Sequence, residues 1–284
     1  MKRYCFYHAG CPDGFAAAFS VWKAFGSDAR YIARGHDDEP FDPTELEDAA
    51  AIFVDIAPTN EELRSLSPCV DKLTVLDHHV SARDRYQSDE AAVQEVQDKG
   101  HEIVFDLHHS GAILAWNHFC DDLEAPMLLR YVEDQDLWNW RLPNSEEVNA
   151  ALASYPRRFD TWAELIERKI EDLASEGESI VRSNKMQVER SLGHSHMIRI
   201  DEQRIEAVNA TENRSAIGHA LAGAARFDRQ WSCVYRLNLD RVSATLYSIG
   251  DVDVSGIAAS YGGGGHRNAA GFSVSLKTWV ADFL

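Results

Sequence analysis

Basic residues are scarce in this chain: 28 Lys and Arg stand against 46 Asp and Glu, for a formal net charge of −18. That balance excludes a broad basic face of the kind that grips extended duplex nucleic acid by neutralising its phosphates. A phosphate-rich ligand would have to be held locally, by metals, a few Arg or Lys side chains or backbone N–H groups, which suits short ligands. Cysteine is sparse as well. Cys5, Cys11, Cys69, Cys120 and Cys233 are scattered, odd in number and form no CxxC pair, which argues against both a disulfide framework and a structural zinc knot. No stretch is long and apolar enough to span a bilayer, and Met1-Lys2-Arg3-Tyr4 leads into a strand-like run rather than an apolar signal core. A reducing cytoplasm with no membrane partner is the expected setting. Internal repeats and low-complexity tails are absent from the sequence.

What is present is enough apolar material for real cores. With 284 residues, 45% of them hydrophobic, the chain suffices for one large or two medium domains. Up to about residue 150, strand-like and helix-like segments alternate. Strands end at His8, Asp55 and Asp77, with others over Arg30 to Ala33 and His101 to Phe105. Helices fall over Phe15 to Phe25, Thr59 to Leu66, Ser110 to Phe119 and Ala125 to Val132, and an acidic loop runs from His36 to Asp42. This is the βαβ rhythm of a doubly wound, mostly parallel sheet. From Phe159 to about Ser191, apolar residues at Trp162, Leu165, Ile166, Ile170, Leu173, Ile180 and Val181 fit one or two amphipathic helices. The remainder mixes strands and helices into a smaller α+β unit. The division expected is a catalytic domain over 1–155, a helical connector over 156–192 and a C-terminal domain over 193–284.

Chemistry concentrates at strand ends. Asp77-His78-His79 follows the apolar run Leu73-Thr74-Val75-Leu76, and open α/β sheets place their sites at the carboxyl ends of strands. Taken alone, the triplet is as compatible with a helix cap and packed histidines as with a metal site. Two further strands end in the same manner, however: Arg3 to Tyr7 leads to His8 and then Asp13-Gly14, and Ala51 to Val54 leads to Asp55. In a parallel sheet these ends lie side by side, so His8, Asp13, Asp55, Asp77, His78 and His79 can converge although they span about seventy positions.

The strings YHAGCPDGFAAAF, VDIAP around Asp55, LDHH at 76–79, EDQDLW around Asp134 and Asp136, and the C-terminal GGGGHRNAAGF together resemble the ordered motifs of the DHH phosphoesterase superfamily, in its branch with the DHH-associated C-terminal domain. The resemblance runs from residue 4 to residue 272, nearly the whole chain. It implies two metal ions, His8 and Asp55 serving one, and Asp13, Asp55, His78 and Asp134 the other, with Asp55 bridging. Asp134 is favoured over Asp136 by the register of the motif, which leaves Asp136 supporting or packing. Imidazole mixed with carboxylate suits Mn, Fe, Co or Zn better than all-oxygen Mg or Ca sites. Mn is the ion expected, with Mg or Co as alternatives. His79 is assigned with Asp77 to catalysis at the scissile phosphate, since adjacent side chains on extended backbone point apart. One departure stands out: Cys11 occupies a place where the family commonly has a carboxylate, so it is either a soft ligand or a small buried thiol.

In the far C-terminal string, Gly263, Gly264, Gly265, His266 and Arg267 read as an anion clamp for substrate, aided if a short helix begins near His266. It lies about 185 residues beyond the DHH triplet, so a substrate cleft between domains is expected. The family often has an Arg on the preceding strand where Tyr247 stands here; Arg214, Arg241 and Arg267 are candidate substitutes. His108 and His109 read as surface or packing groups before Ser110, a helix N-cap. Trp138 and Trp140 read as packing residues, with base stacking as the alternative. The resemblance thus implies a metal-dependent phosphodiesterase acting on short oligoribonucleotides or linear dinucleotides. Alternatives are a nucleotide bisphosphate phosphatase, an exopolyphosphatase, or a nucleotide-binding regulator weakened in catalysis by its altered first motif. A homodimer is compatible with this reading.

Overall fold

In the computed structural model, residues 1–35, 38 and 42–284 are described; the acidic loop expected from His36 to Asp42 lies mostly outside them. The chain divides into two compact units, Met1–Val181 and Arg182–Leu284.

The first unit is built on a five-stranded parallel sheet of β1 (Lys2–His8), β2 (Arg30–Arg34), β3 (Ala49–Val54), β4 (Lys72–Asp77) and β5 (Glu102–Phe105), in the order β2-β1-β3-β4-β5. Every residue of β3 is buried, as expected of a central strand covered on both faces. The strand order reverses between β1 and β3, which places the crevice for a ligand beside the carboxyl ends of those two strands. Helices α1 (Pro12–Phe25), α2 (Asn60–Leu66), α3 (Val80–Gln87), α4 (Glu90–Asp98), α5 (Gly111–Phe119), α6 (Met127–Asp136), α7 (Ser145–Ala153) and α8 (Phe159–Leu165) follow in turn, and α9 (Ile170–Leu192) runs on across the boundary at Val181. Thr59 and Glu62 form a reciprocal capping box at the start of α2. Segment 156–181, expected to be a connector, packs Trp162, Leu165, Leu173 and Ala174 against Phe15, Phe19, Leu129 and Val132. Gly177 of α9 comes so close to Glu147 that a Cβ would lie 1.9 Å from its carbonyl oxygen.

The second unit is a six-stranded mixed sheet of β6 (His196–Ile200), β7 (Gln203–Asn209), β8 (Trp231–Asn238), β9 (Arg241–Ser248), β10 (Gly264–His266) and β11 (Ala269–Ser275), in the order β10-β11-β9-β8-β7-β6. All its pairings are antiparallel except β7 with β8, whose parallel crossover is made by α10 (Arg214–Ala224). Alternation along the strands sorts the two faces. Val208, Val234 and Tyr247 meet Ile217 and Leu221 of α10, while Cys233, Tyr235, Leu246 and Phe272 meet Val254, Ala258, Trp279 and Phe283 from α11 (Ser255–Ser260), α12 (Leu276–Asp282) and their flanks.

Two expectations change. Helix α6 extends through Asp136 rather than stopping near Val132, and residues 264–266 form a hairpin strand rather than the start of a helix. The glycines are what let that hairpin close: a Cβ at Gly263 would meet the Gly271 carbonyl at 2.0 Å, and one at Gly265 the Ala269 carbonyl at 2.6 Å.

Candidate metal centre

Three strand ends and several helix ends of the first unit converge. β1 delivers His8, β3 is followed by Asp55, and β4 ends in Asp77 and leads into His78 and His79. Asp55 lies in the left-handed region at φ 58°, which a short polar side chain tolerates better than most. Its N–H donates to the Leu76 carbonyl at 3.0 Å. The start of α5 presses on it closely: a Cβ at Gly111 would sit 2.5 Å from Asp55 Cβ. Asp13, on the first turn of α1, accepts the N–H groups of Gly111 at 2.7 Å and Ala112 at 3.1 Å. It therefore caps α5, a task expected of Ser110, whose hydroxyl makes no cap hydrogen bond.

Among the described residues of the first unit, two groups of ligand-grade atoms form around this frame, His8 with Asp55 and His79, and Asp13 with His78 and Asp136; within each, they lie within 4.8 Å of one another. His78 Nε2 is 3.0 Å from Asp55 Oδ1, 3.5 Å from Asp136 Oδ2 and 3.6 Å from Asp13 Oδ2, so Asp55 joins the two groups. His8 Nδ1 lies 3.5 Å from Asp55 Oδ2. Cys11 Sγ caps α1 by accepting the Gly14 N–H at 3.1 Å, donates to Asp55 Oδ2 at 3.3 Å and is 3.5 Å from His8 Nδ1.

Asp77 stands beneath the histidines. Its Oδ1 accepts the N–H groups of His78 and His79 at 2.7 and 3.2 Å and faces His79 Nδ1 at 2.7 Å. This fixes the imidazole and directs its other ring nitrogen away from Asp77, as a carboxylate behind a catalytic or metal-binding histidine does.

Asp134 and Asp136 behave differently from each other. Two residues along a helix are turned by about 200°, so only one can face the strand ends, and that one is Asp136. The Asp134 carboxylate instead accepts the N–H groups of Arg141 at 2.9 Å and Leu142 at 3.2 Å. The structure thus gathers His8, Asp13, Asp55, His78, His79 and Asp136, with Asp77 and Cys11 against them, and does not bring the Asp134 carboxylate to the group.

The electrostatics are those of buried acids crowded around imidazoles. Burial opposes charge on Asp55, but hydrogen bonds with His78 and His8 outweigh it and hold the carboxyl well below the usual range. Burial also opposes a charged His78, yet the hydrogen bond to Asp55 and the charges of Asp136, Asp55 and Asp13 push it up to about 10. Asp13 is driven well upward by burial and by Asp55 and Asp136, and Asp136 is raised chiefly by burial. The Cys11 thiol is pushed well up by burial and by Asp55, Asp13 and Asp136. His79 is raised by Asp77 against the effect of burial. One Asp136 oxygen is buried with no hydrogen-bond partner. Buried like charges and an unsatisfied carboxylate oxygen are costly unless a cation completes them, and this donor set fits a divalent transition metal.

In the second unit, Arg267 donates to the Asp251 carbonyl at 2.6 Å, Arg214 hydrogen-bonds Thr245 on β9, and Arg241 reaches Ser273 at 3.3 Å. Tyr247 is buried beneath Gly218. His109 pairs with Glu133 at 2.9 Å, a partner 24 positions away that no local pattern in the sequence marks.

This sheet, with its buried His and Asp cluster, belongs to a chain that is distantly homologous to the DHH-family phosphoesterases. No protein-family model matches it. It is 27% identical over 292 residues to an uncharacterized protein of Acanthamoeba polyphaga mimivirus, covering 95% of this chain and 66% of that protein. It is 26% identical over 252 residues to the oligoribonuclease NrnB of Bacillus subtilis, covering 81% of this chain and 60% of that one. The chain therefore spans less than two thirds of the length of both relatives. Among solved structures, the pGpG-specific phosphodiesterase PggH of Vibrio cholerae aligns over 98% of this chain and 95% of its own, at 11% identity and a TM-score of 0.46. An exopolyphosphatase-related protein of Bacteroides fragilis aligns over 95% and 86%, at 13% identity and a TM-score of 0.43. No described helix is long and apolar enough to cross a membrane.

Proposed function

We propose that this chain is a metal-dependent phosphodiesterase that hydrolyses short oligoribonucleotides or linear dinucleotides to mononucleotides. The observation that carries the reading is the pair of ligand groups joined through Asp55, with His78 Nε2 between three carboxylates at 3.0 to 3.6 Å. The relation to an oligoribonuclease supports the substrate class.

His8, Asp55, Asp13, His78 and Asp136 would hold the metal, with Mn as the ion expected; Asp136 takes the place that motif register alone assigns to Asp134. Two bound ions would supply Lewis acidity, drawing charge off a phosphoryl group and acidifying water. Asp77 holds His79 by its Nδ1, which leaves Nε2 to donate to a phosphoryl or leaving-group oxygen. The raised pKa of His79 favours the protonated form that this task needs. Asp13 ties the centre to α5 through two backbone N–H groups, so the acids keep their spacing as substrate charge enters. In the second unit, Gly263 to Arg267 are assigned to substrate. Gly263 and Gly265 shape the hairpin, and His266 is its side chain for a phosphate.

The test compares a linear dinucleotide, a five-nucleotide RNA, a nucleoside bisphosphate and polyphosphate at equal concentration with Mn. Fastest turnover of the dinucleotide or the RNA is expected, and H78A should lose both turnover and bound metal. Faster release of phosphate from the bisphosphate or polyphosphate would replace the reading by a phosphatase. Binding without turnover of any substrate would make the chain a regulator. H266A should weaken substrate binding more than it lowers metal content.

A further inference from the structure

The segment that follows Asp136 is held in an uncommon shape. The carbonyl oxygen of Asp134 accepts the N–H groups of Asn139 at 2.8 Å and Trp140 at 3.3 Å, and its carboxylate takes those of Arg141 and Leu142. One residue therefore ties down four consecutive amides. The turn this makes places Trp138 at φ 55° and Trp140 at φ 52°, a region that bulky L-residues rarely adopt. The indole rings stand perpendicular, 5.0 Å between centroids at 81°, and Trp138 is 41% exposed. A tryptophan recruited only to fill a core would be covered and would not require left-handed backbone. Here a pinned turn displays a paired aromatic surface two to four residues from Asp136, whose carboxylate belongs to the metal-binding group.

We propose that Trp138 and Trp140 form a stacking platform for a nucleobase, so that this site selects base-bearing phosphodiesters over bare polyphosphate chains. The inference rests on the functional reading above and narrows its substrate class. Stacking is tolerant of base identity, because every base has a π-face. It is also an attraction that needs no positive charge, which matters in a chain of net charge −18 whose site is dominated by carboxylates. Asp134 is then a positioning residue, acting on substrate only through the turn that it holds.

The full chain and its W138A, W138F, W140A and D134N variants are titrated with adenosine 5′-monophosphate without metal, following binding by calorimetry. Turnover of linear diadenylate and of the same dinucleotide lacking both bases is then compared with Mn. W138A and W140A should each weaken nucleotide binding about 5-fold to 100-fold and lower the preference for diadenylate over its abasic analogue by a similar factor. W138F should retain most of both, and D134N should lose part of both. Because Trp138 lies at the surface, W138A remains informative if W140A fails to fold. Unchanged nucleotide affinity and unchanged preference in W138A would overturn the platform. Absence of turnover in the parent chain alongside weakened nucleotide binding in W138A would sink the phosphodiesterase reading and leave the platform standing.

Discussion

Exchanging Asp134 and Asp136 for asparagine, one at a time, separates the carboxylate proposed to hold metal from the one that holds backbone. In D134N, an amide NH₂ is forced against one of the two amides the carboxylate now satisfies, from Arg141 or Leu142. An unsatisfied buried donor costs about 1–3 kcal/mol. For the first unit, Met1–Val181, that corresponds to a Tm lower by about 2–12 °C. In D136N the sign reverses. The folded-state pKa of Asp136 is raised, so its charge costs stability at neutral pH, and removing it should leave the metal-free Tm unchanged or higher. Mn at about 100 times its Kd adds about 2.7 kcal/mol to the parent protein, a rise of about 5–11 °C. D136N should lose most of that rise and D134N should keep it. The assay is differential scanning fluorimetry with EDTA and then with a Mn titration. The opposite crossing, a Mn response erased by D134N and intact in D136N, would return the ligand role to Asp134 and refute the geometric assignment.

The metal-free cluster holds a proton on His78 that a metal must displace. With its pKa near 10, above the ordinary imidazole value, its contribution to stability is complete below about pH 6.5 and is lost as pH rises through 10. Mn affinity should accordingly rise with pH across that window, with the His78 proton released when the ion it would ligate binds, read by calorimetry in buffers of different ionisation heat; no proton release would contradict a protonated His78. G111A should displace Asp55, destabilising by about 1–3 kcal/mol and weakening Mn binding, whereas G177A should destabilise without touching Mn affinity. Equal Mn binding in G111A and the parent would show that the contact with Asp55 is not needed to place it. H79Q should lower kcat by about 100-fold or more with bound metal retained, and loss of metal instead would move His79 into the ligand set.

The strand ends were legible because β-prone runs such as Ala51 to Val54 stop abruptly at a chemical residue, and parallel order then aligns His8, Asp55 and Asp77. Asp134 and Asp136 were not separable in the same way. Which of them faces the sheet depends on helical phase, and that depends on how far α6 continues past Val132. Helix α3 carries no sequence mark because Val80–Gln87 is largely polar with no strong period, and it buries only Ala82 and Tyr86; α4 (Glu90–Asp98) is short, and only Ala92 and Val96 form its buried stripe. The glycine string reads in sequence as an anion clamp alone, since sequence does not reveal that Gly263 and Gly265 lie against carbonyls of the next strand. That Asp13 caps α5 from 98 residues away is a tertiary fact with no local signature.

Cys11 shows how the centre stays folded while crowded with acid. A carboxylate at that position would be a further buried negative charge beside Asp13, Asp55 and Asp136, each added anion raising the desolvation and repulsion that a metal-free protein must bear. The thiol is neutral at ordinary pH because burial and these neighbours drive its pKa up. It still caps α1 and donates to Asp55. The position thus keeps its structural task and gives up a charge, which leaves Asp55 as the carboxylate that faces His8 and His78 alike. It also explains why Asp55 is restrained on three sides, by its left-handed backbone, by the Leu76 carbonyl and by Gly111: the geometry of both groups depends on where that one side chain stands.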